Sequence, residues 1–228
     1  MSAVHLAPRA GSWNVALWGV AVAAAMVASV LHLWPQARAS ALSMQTLTLV
    51  RDWQAPRAKP PDVQAWLAAR ASLSQALILA PANADLHEAM AYLYLQAAQR
   101  PGQSALVTVP YLKQSLAHLQ QATAARPMVP SAWANTAMAI HQLAALEQTP
   151  AQASRWLPGL WAAFDRALVF GQRTQGVQLG LGTVAFSRWG DLSPLRRQAV
   201  VTMVANATPA QRRMLLAQAA AHRVGLEL

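Results

Sequence analysis

The chain has 228 residues, carries 18 Lys and Arg against 8 Asp and Glu, and contains no cysteine. The lack of cysteine excludes disulfides, thiolate metal sites and cysteine nucleophiles. The formal net charge of +10 comes mainly from arginines scattered along the chain. Because they form no stripe, we expect a solvated basic surface and no nucleic-acid partner, while acidic polysaccharide and anionic lipid stay open as partners.

The first predicted element is a transmembrane helix at residues 13–34, which follows a short tail at residues 1–12. The run contains no Asp, Glu, Lys or Arg. As a helix rising ~1.5 Å per residue, it would cross the roughly 30 Å of hydrocarbon in a bilayer. Trp13 and Trp34 stand at its two ends, where indole favours the membrane interface. No later segment is long and apolar enough for a second span, so we predict a single-pass protein.

A cleaved signal peptide is the alternative for the same segment, because residues 37–39 loosely fit the small-residue cleavage pattern. The apolar core of a signal peptide is usually about 7 to 15 residues long, and the longer run here favours an uncleaved anchor. The positive charges on the two sides of the span are nearly equal in number, since Arg9 and the amino terminus precede it and Arg38 and Arg51 follow it. The positive-inside rule therefore favours neither orientation clearly. The second resemblance described below favours a cytoplasmic tail and a periplasmic body.

Residues 35–62 are predicted to hold a juxtamembrane helix and a proline-rich linker. Apolar residues recur at helical spacing between Ala39 and Trp53. Three prolines fall within residues 56–61, which excludes a helix there and is typical of a semi-rigid linker. The linker would connect the anchor to a helical domain at residues 63–228.

The region after the linker is predicted to be all-α, because it is rich in Ala and Leu with an apolar period near 3.6. Thr149 and Thr208 mark helix starts, each with Pro at the first helical position and Gln at the third. Ser193 repeats this pattern without the glutamine. We expect the last helix to run from Pro209 to about Arg223 and to stop at Gly225.

An internal repeat lies inside this helical pattern. A large apolar residue, an alanine three positions later and a Pro or Gly at the helix end recur, with the alanines 46 and then 45 residues apart. The three sets are Leu73, Ala76 and Pro81; Leu119, Ala122 and Pro127; and Phe164, Ala167 and Gly171. A small alanine lets two helices approach closely, and one helix pair cannot bury its apolar face alone. We therefore expect stacked helix pairs.

These residues resemble the tetratricopeptide repeat over about Val63 to Trp189. The matching positions are Ala69, Leu73, Ala76, Pro81, Ala84, Ala91, Tyr94, Ser115, Leu119, Ala122, Pro127, Trp133 and Ala137. The chain departs from the family at His87, where Trp is usual, and at Thr136, where Leu is usual. Roughly 12 extra residues around Arg100–Pro110 separate the helices and lengthen the period beyond the family's ~34.

The resemblance implies a tetratricopeptide-like α-solenoid whose first helices line a concave groove that binds a peptide or helix of another protein. By the repeat register, the residues expected to face this groove are Asp85, Glu88, Tyr92, Met138 and His141. They are the candidate partner-binding residues.

A second resemblance is to the VpsP-type proteins of bacterial exopolysaccharide gene clusters and to the helical tails of O-antigen ligases and polymerases. It rests on the run 161–168, on residues 177–180 and on Trp189, together with a membrane segment joined to a repeat domain. The resemblance implies a place in exopolysaccharide biosynthesis or export at the inner membrane. It carries over no catalytic residue.

Sequence patterns that would indicate catalysis or cofactor binding are weak. Residues 180–185 fit the dinucleotide fingerprint G-x-G-x-x-A, but the strand and the acidic residue that the fingerprint requires are missing, so close helix packing explains them better. No two histidines lie three or four positions apart. Asp85 and Glu88 alone among the carboxylates lie one helical turn apart, where capping of a helix start explains them. We predict no catalytic residue, metal or cofactor.

These observations favour a non-enzymatic, membrane-anchored scaffold that binds another envelope protein, in exopolysaccharide biosynthesis or export. One alternative is a membrane-associated enzyme that acts on lipid-linked sugars, which would need acids or a metal converging on one cleft. Another is an assembly factor of a different envelope complex, such as one for cytochrome maturation or secretion.

Overall fold

The computed structural model describes residues 11–55 and 58–226, with side chains from residue 17 onward; most of the predicted tail lies outside this range. The described residues form helices and turns without any strand, which confirms the all-α prediction. The helices are α1 (Gly11–Trp53), α2 (Val63–Leu79), α3 (Ala84–Ala98), α4 (Ala105–Ala125), α5 (Pro130–Ala145), α6 (Pro150–Ser154), α7 (Leu157–Gly171), α8 (Gln175–Ser187), α9 (Pro194–Ala205) and α10 (Pro209–Ala221). A 3₁₀ turn at Trp189–Asp191 precedes α9.

α1 is a continuous helix of 43 residues that contains both the predicted span and the predicted juxtamembrane helix. From Leu17 onward it is long and apolar enough to cross a membrane. Pro35 lies inside the helix without ending it. Its ring removes one backbone hydrogen bond, yet the helix continues for another eighteen residues to Trp53.

The second half of α1 is packed into the helical body. Ala39 and Ser43 are fully buried, and Val50 is 1% exposed. The Thr46 hydroxyl donates to the Ser72 hydroxyl of α2 at 2.9 Å. Residues 39–53, which the sequence places ahead of the linker, are therefore the first helix of the packed body.

The other helices pack on one another in chain order, α2 on α3, α3 on α4, α4 on α5 and α5 on α7. The short α6 lies against α5, whereas α8 contacts α5, α7, α9 and α10. The repeated large residues and alanines are all buried at these contacts: Leu73, Leu119, Phe164, Ala76, Ala122 and Ala167. One core cluster joins α1, α2 and α3, and a larger one runs from α3 to α10.

The helix ends agree with the sequence at some places and differ at others. Thr149 and Thr208 both form the predicted capping boxes. The stop predicted at Gly225 is wrong, because α10 ends at Ala221 and Arg223 takes the left-handed conformation with φ 57°. The amide of Val224 then donates to the carbonyl of Ala219 at 2.9 Å, which satisfies the helix end without a glycine.

The extra residues of the second repeat unit are also arranged differently from the expectation. They do not simply separate two helices, since α4 begins at Ala105 and contains Pro110 within its second turn. Pro110 lacks the amide that would donate to the carbonyl of Leu106, so α4 loses one hydrogen bond there without being interrupted. The inserted residues therefore lengthen α4 to 21 residues.

Candidate partner-binding surface

Asp85 and Glu88 lie in the first two turns of α3, after Asn83, whose side chain accepts from the amides of Asp85 and Leu86 at 3.0 and 3.2 Å. Both carboxylates bind Arg126, which follows α4, with Nη2 distances of 2.6 Å to Asp85 and 3.0 Å to Glu88. Burial raises the pKa of Glu88 above its usual value, although the Arg126 guanidinium opposes the shift. The two acids thus join the start of α3 to the end of α4.

Tyr92 lies farther along α3 and faces α1. Its hydroxyl donates to the carbonyl of Trp53 at 2.7 Å, and the amide of Gln96 donates to the same hydroxyl. Burial raises the pKa of Tyr92 to about 12. Tyr92 therefore ties α3 to the last residue of α1.

A cavity of about 100 Å³ remains between α1 and α3. It is lined by Leu47, Val50, Arg51 and Gln54 of α1 and by Asp85, Glu88 and Ala89 of α3. The face of α3 that the sequence assigns to the groove is thus largely covered by α1, which leaves only a small polar opening beside the two acids.

Met138 and His141 lie on α5, in a different part of the body. Met138 is half-buried against the larger core cluster. The Nε of Arg188 donates to Nδ1 of His141 at 3.0 Å, and Ser187 Oγ lies 3.3 Å from its Nε2. Because Arg188 can only donate, Nδ1 carries the lone pair and Nε2 donates to the serine. Burial, then the positive charge of Arg188, lower the pKa of His141 to about 4.

The five predicted residues therefore form two groups. Asp85, Glu88 and Tyr92 line the contact of α3 with α1 and α4. On α5, His141 contacts Ser187 of α8 and Arg188, while Met138 packs against the larger core cluster. The two groups lie on different helices, α3 and α5, each of which follows a helix that carries one copy of the repeated apolar and alanine pair. Most of their polar atoms form hydrogen bonds or ion pairs with other residues of this chain. Neighbouring exposed residues must therefore contribute to any surface that a partner contacts.

A pair of histidines lies between α3 and α4, and sequence reasoning did not foresee it. Nδ1 of His87 is 2.9 Å from Nδ1 of His118, and Nε2 of His87 is 2.8 Å from the carbonyl oxygen of Pro81. A carbonyl can only accept, so Nε2 of His87 carries a proton and, with both rings neutral, His118 donates to Nδ1 of His87. The two positions are 31 residues apart in the chain, so helical spacing alone could not bring them together.

The histidine pair continues into a row of aromatic rings. Tyr94 stacks on His118 with centroids 5.7 Å apart, and Trp66 meets both Tyr94 and Tyr111 edge-on at 6.2 Å. Such edge-on and stacked contacts stabilise the packing of aromatic side chains beyond the area they bury. The row links α2, α3 and α4 into one unit.

Several arginine side chains form ion pairs or cation–π contacts within the fold. Nε and Nη2 of Arg196 each lie 2.8 Å from the carboxylate of Asp165, and the same guanidinium stacks over Trp161 at 5.1 Å. Arg166 stacks over Trp133 at 4.5 Å. These contacts use arginine for packing and orientation, which is a structural role for part of the basic charge.

The residues that fit the dinucleotide fingerprint lie inside α8, with helix on both sides. A Cβ added at Gly182 would lie 2.7 Å from Leu215 of α10, whereas one added at Gly180 would meet nothing within 4 Å. Close packing of α8 on α10 therefore accounts for Gly182. Among the described residues, no group of three or more His, Cys, Asp or Glu is placed to hold a metal ion.

Comparison of this chain with protein-family models, curated proteins and solved structures finds no match.

Proposed function

We propose that this chain is a non-enzymatic scaffold of the bacterial inner membrane, anchored by residues 13–34, whose helical body binds a peptide or helix of another envelope protein. The pathway we propose is exopolysaccharide biosynthesis or export. The observation that carries the proposal is the continuity of α1, which runs from the apolar segment directly into the packed body.

This continuity favours a scaffold because it couples the body to the proposed span through one unbroken helix. The hydroxyl of Ser72 receives the hydrogen bond from Thr46 and donates to the carbonyl of Leu42 at 3.1 Å. Tyr92 adds a third contact at the end of α1. A partner bound to the body would be held at a defined height above the bilayer.

The packing order supports an arrangement of stacked hairpins. α2, α4 and α7 carry the three copies of the repeated apolar and alanine pair, which makes them the second helices in the tetratricopeptide register. α3, α5 and α8 follow them as first helices, and in such solenoids first helices line the binding face. The exposed Asn135 and the half-buried Met138 of α5 lie three residues apart and share one face.

The proposed binding face can be tested by photo-crosslinking in cells. A photo-crosslinking amino acid at Asn135 or Met138 should capture one envelope protein. The same residue at Gln75 or Gln121, which are exposed equivalents on α2 and α4, should not capture it. Capture of the same protein from both faces, or from neither, would contradict the proposed surface.

The pathway and orientation have their own tests. Loss of the chain should reduce extracellular polysaccharide, and the captured partner should belong to its synthesis or export. Alkaline phosphatase fused after the last residue should be active if the body is periplasmic. An inactive phosphatase fusion together with a bright fluorescent-protein fusion would place the body in the cytoplasm instead.

A further inference from the structure

The turn between α2 and α3 meets α1 at the end of the apolar segment. A cavity of about 400 Å³ separates them, lined by Leu31, His32, Pro35 and Gln36 on α1 and by residues 79–83 on the other side. Leu31 and His32 belong to the proposed span. The turn therefore lies at the level where the span leaves the hydrocarbon, whichever side of the membrane holds the body.

The exposed surface of this turn is apolar or neutral. Ile78, at the end of α2, is 79% exposed, and Pro81 and Ala82 are also exposed. Among the residues that the structure describes, no Asp, Glu, Lys or Arg lines the cavity. Its polar groups are the His32 ring and the amides of Gln36 and Asn83. Apolar side chains beside a few neutral polar groups suit the layer between acyl chains and headgroups.

We propose that the turn at residues 78–83 is a second membrane contact of this chain, and that a bilayer phospholipid occupies the cavity between the turn and α1. The inference rests on the proposed span at residues 13–34. The wall formed by Leu31, Pro35 and Leu79 fits an acyl chain, because it offers no hydrogen-bonding side chain. The amide nitrogens of Gln36 and Asn83 line the same cavity and would donate to the ester or phosphate oxygens of that lipid, since the Asn83 amide oxygen already accepts from the start of α3.

A second contact gives the body a fixed orientation. One helix crossing the bilayer leaves the body able to rotate about the membrane normal and to tilt, whereas a helix and a turn in the same interface restrict the tilt. The turn leads directly into α3, whose first residues are joined to the end of α4 by the ion pair of Asp85 with Arg126. The edge of the body that contains them would thus face the lipid surface.

The depth of the turn can be measured with a single fluorescent label, because the chain has no cysteine of its own. Ala82→Cys and Gln99→Cys introduce labels at exposed positions just before and just after α3. The 15 residues of α3 span roughly 22 Å at ~1.5 Å per residue. The full chain is reconstituted into phosphatidylcholine vesicles that contain a lipid with a nitroxide quencher near the headgroup. We expect quenching of the label at position 82 and little at position 99.

Two variants test whether the apolar turn causes the quenching. Ile78→Asp places a charge on the turn, and Leu106→Asp is its matched control, since Leu106 is 87% exposed at the start of α4. Both side chains are exposed, so neither change should disturb folding. Ile78→Asp should reduce quenching at position 82 toward the level at position 99, and Leu106→Asp should leave it unchanged.

The occupant of the cavity is tested with phosphatidylcholine that carries a photo-activatable group in one acyl chain. Crosslinks mapped by mass spectrometry should include residues 78–83 as well as the span. Crosslinks confined to residues 17–34 would overturn the assigned occupant.

Carbonate extraction of the same vesicles distinguishes failure of the membrane contact at the turn from failure of the transmembrane span. Equal quenching at positions 82 and 99 in a chain that resists carbonate would overturn the membrane contact and leave the anchored scaffold intact. Release of the chain by carbonate would overturn the span and, with it, this inference.

Discussion

The hydroxyl of Thr46 donates to the hydroxyl of Ser72 at 2.9 Å, and Ser72 donates onward to the backbone of α1 at Leu42. The two hydroxyls lie 26 residues apart in the chain and connect the long N-terminal helix to the first helix that follows the proline-rich segment. This contact makes the second half of α1 a part of the folded body as well as an extension of the apolar segment.

Shortening the chain should show where the body begins. A variant of residues 39–228 keeps the packing of Ala39 and Val50 on α2, whereas a variant of residues 63–228 uncovers the buried face of α2. We expect the shorter variant to unfold at a lower temperature, because apolar burial contributes about 25 cal/mol per Å². Equal thermal midpoints for the two variants would show that α1 is no part of the folded unit.

Overpacking at a repeated alanine should destabilise the body. Ala122 is fully buried, so Ala122→Leu should cost about 1 to 3 kcal/mol of unfolding free energy through strain. Ala124 lies two residues away on the same helix and is exposed, and Ala124→Leu is therefore the control with the same added atoms. Urea denaturation measures both. Similar losses at the two positions would contradict the register of the repeat.

The glycine that ends the third repeat unit should tolerate no side chain. A Cβ at Gly171 would lie 2.6 Å from Cβ of Pro130 and 2.8 Å from Val177. Neither contact can be relieved by a flexible side-chain end, so Gly171→Ala should lower the thermal midpoint. Gly180→Ala meets open space inside α8 and should raise it, since alanine is favoured in a helix by up to ~1 kcal/mol.

The stability of the body should decline in mild acid. Burial, then the charge of His87, lower the pKa of His118 to about 4, below its usual value of ~6.5 in an unfolded chain. Between these values the unfolded state binds more protons, so His118 contributes full stability above pH ~6.5 and loses it as the pH falls toward 4. The midpoint of thermal unfolding should therefore drop between pH 7 and pH 5.

His118→Asn measures how much of this pH dependence comes from His118, since the pKa of His141 is also lowered to about 4. Its amide keeps a donor near the position of Nδ1 but does not titrate, so the variant should show a weaker decline than the unaltered chain. His222→Asn changes an exposed histidine and serves as control. Parallel stability curves for the His118 variant and the unaltered chain would rule out His118 as the source.

Local signals in the sequence predict much of the fold. The capping boxes at Thr149 and Thr208 need only four consecutive residues, and the burial of Leu119 and Ala122 follows from helical period. The end of α10 was mispredicted because Arg223 adopts a conformation that glycine usually takes. The local sequence favours Gly225 as the helix stop. The contact of Val224 with the body is a tertiary contact, which the local sequence does not show.

The candidate surface was harder to predict for the same reason. Asp85 and Glu88 were visible as a pair, but their common partner Arg126 is about 40 residues away. The covering of α3 by α1 depends on helix packing between segments separated by the prolines. His87 and His118 meet only because α3 and α4 pack side by side. Spacing within one helix could not show any of these contacts.

The most direct test of the account is carbonate extraction of membranes that contain the full chain, followed by mass analysis of the protein retained. We expect that the chain stays with the membrane and still includes residues 13–34. Cleavage after Ala39 would remove a residue that is fully buried against α2. A soluble protein beginning near Ser40 would contradict the account, because the segment would then be a signal peptide and α1 would not join the body to a membrane.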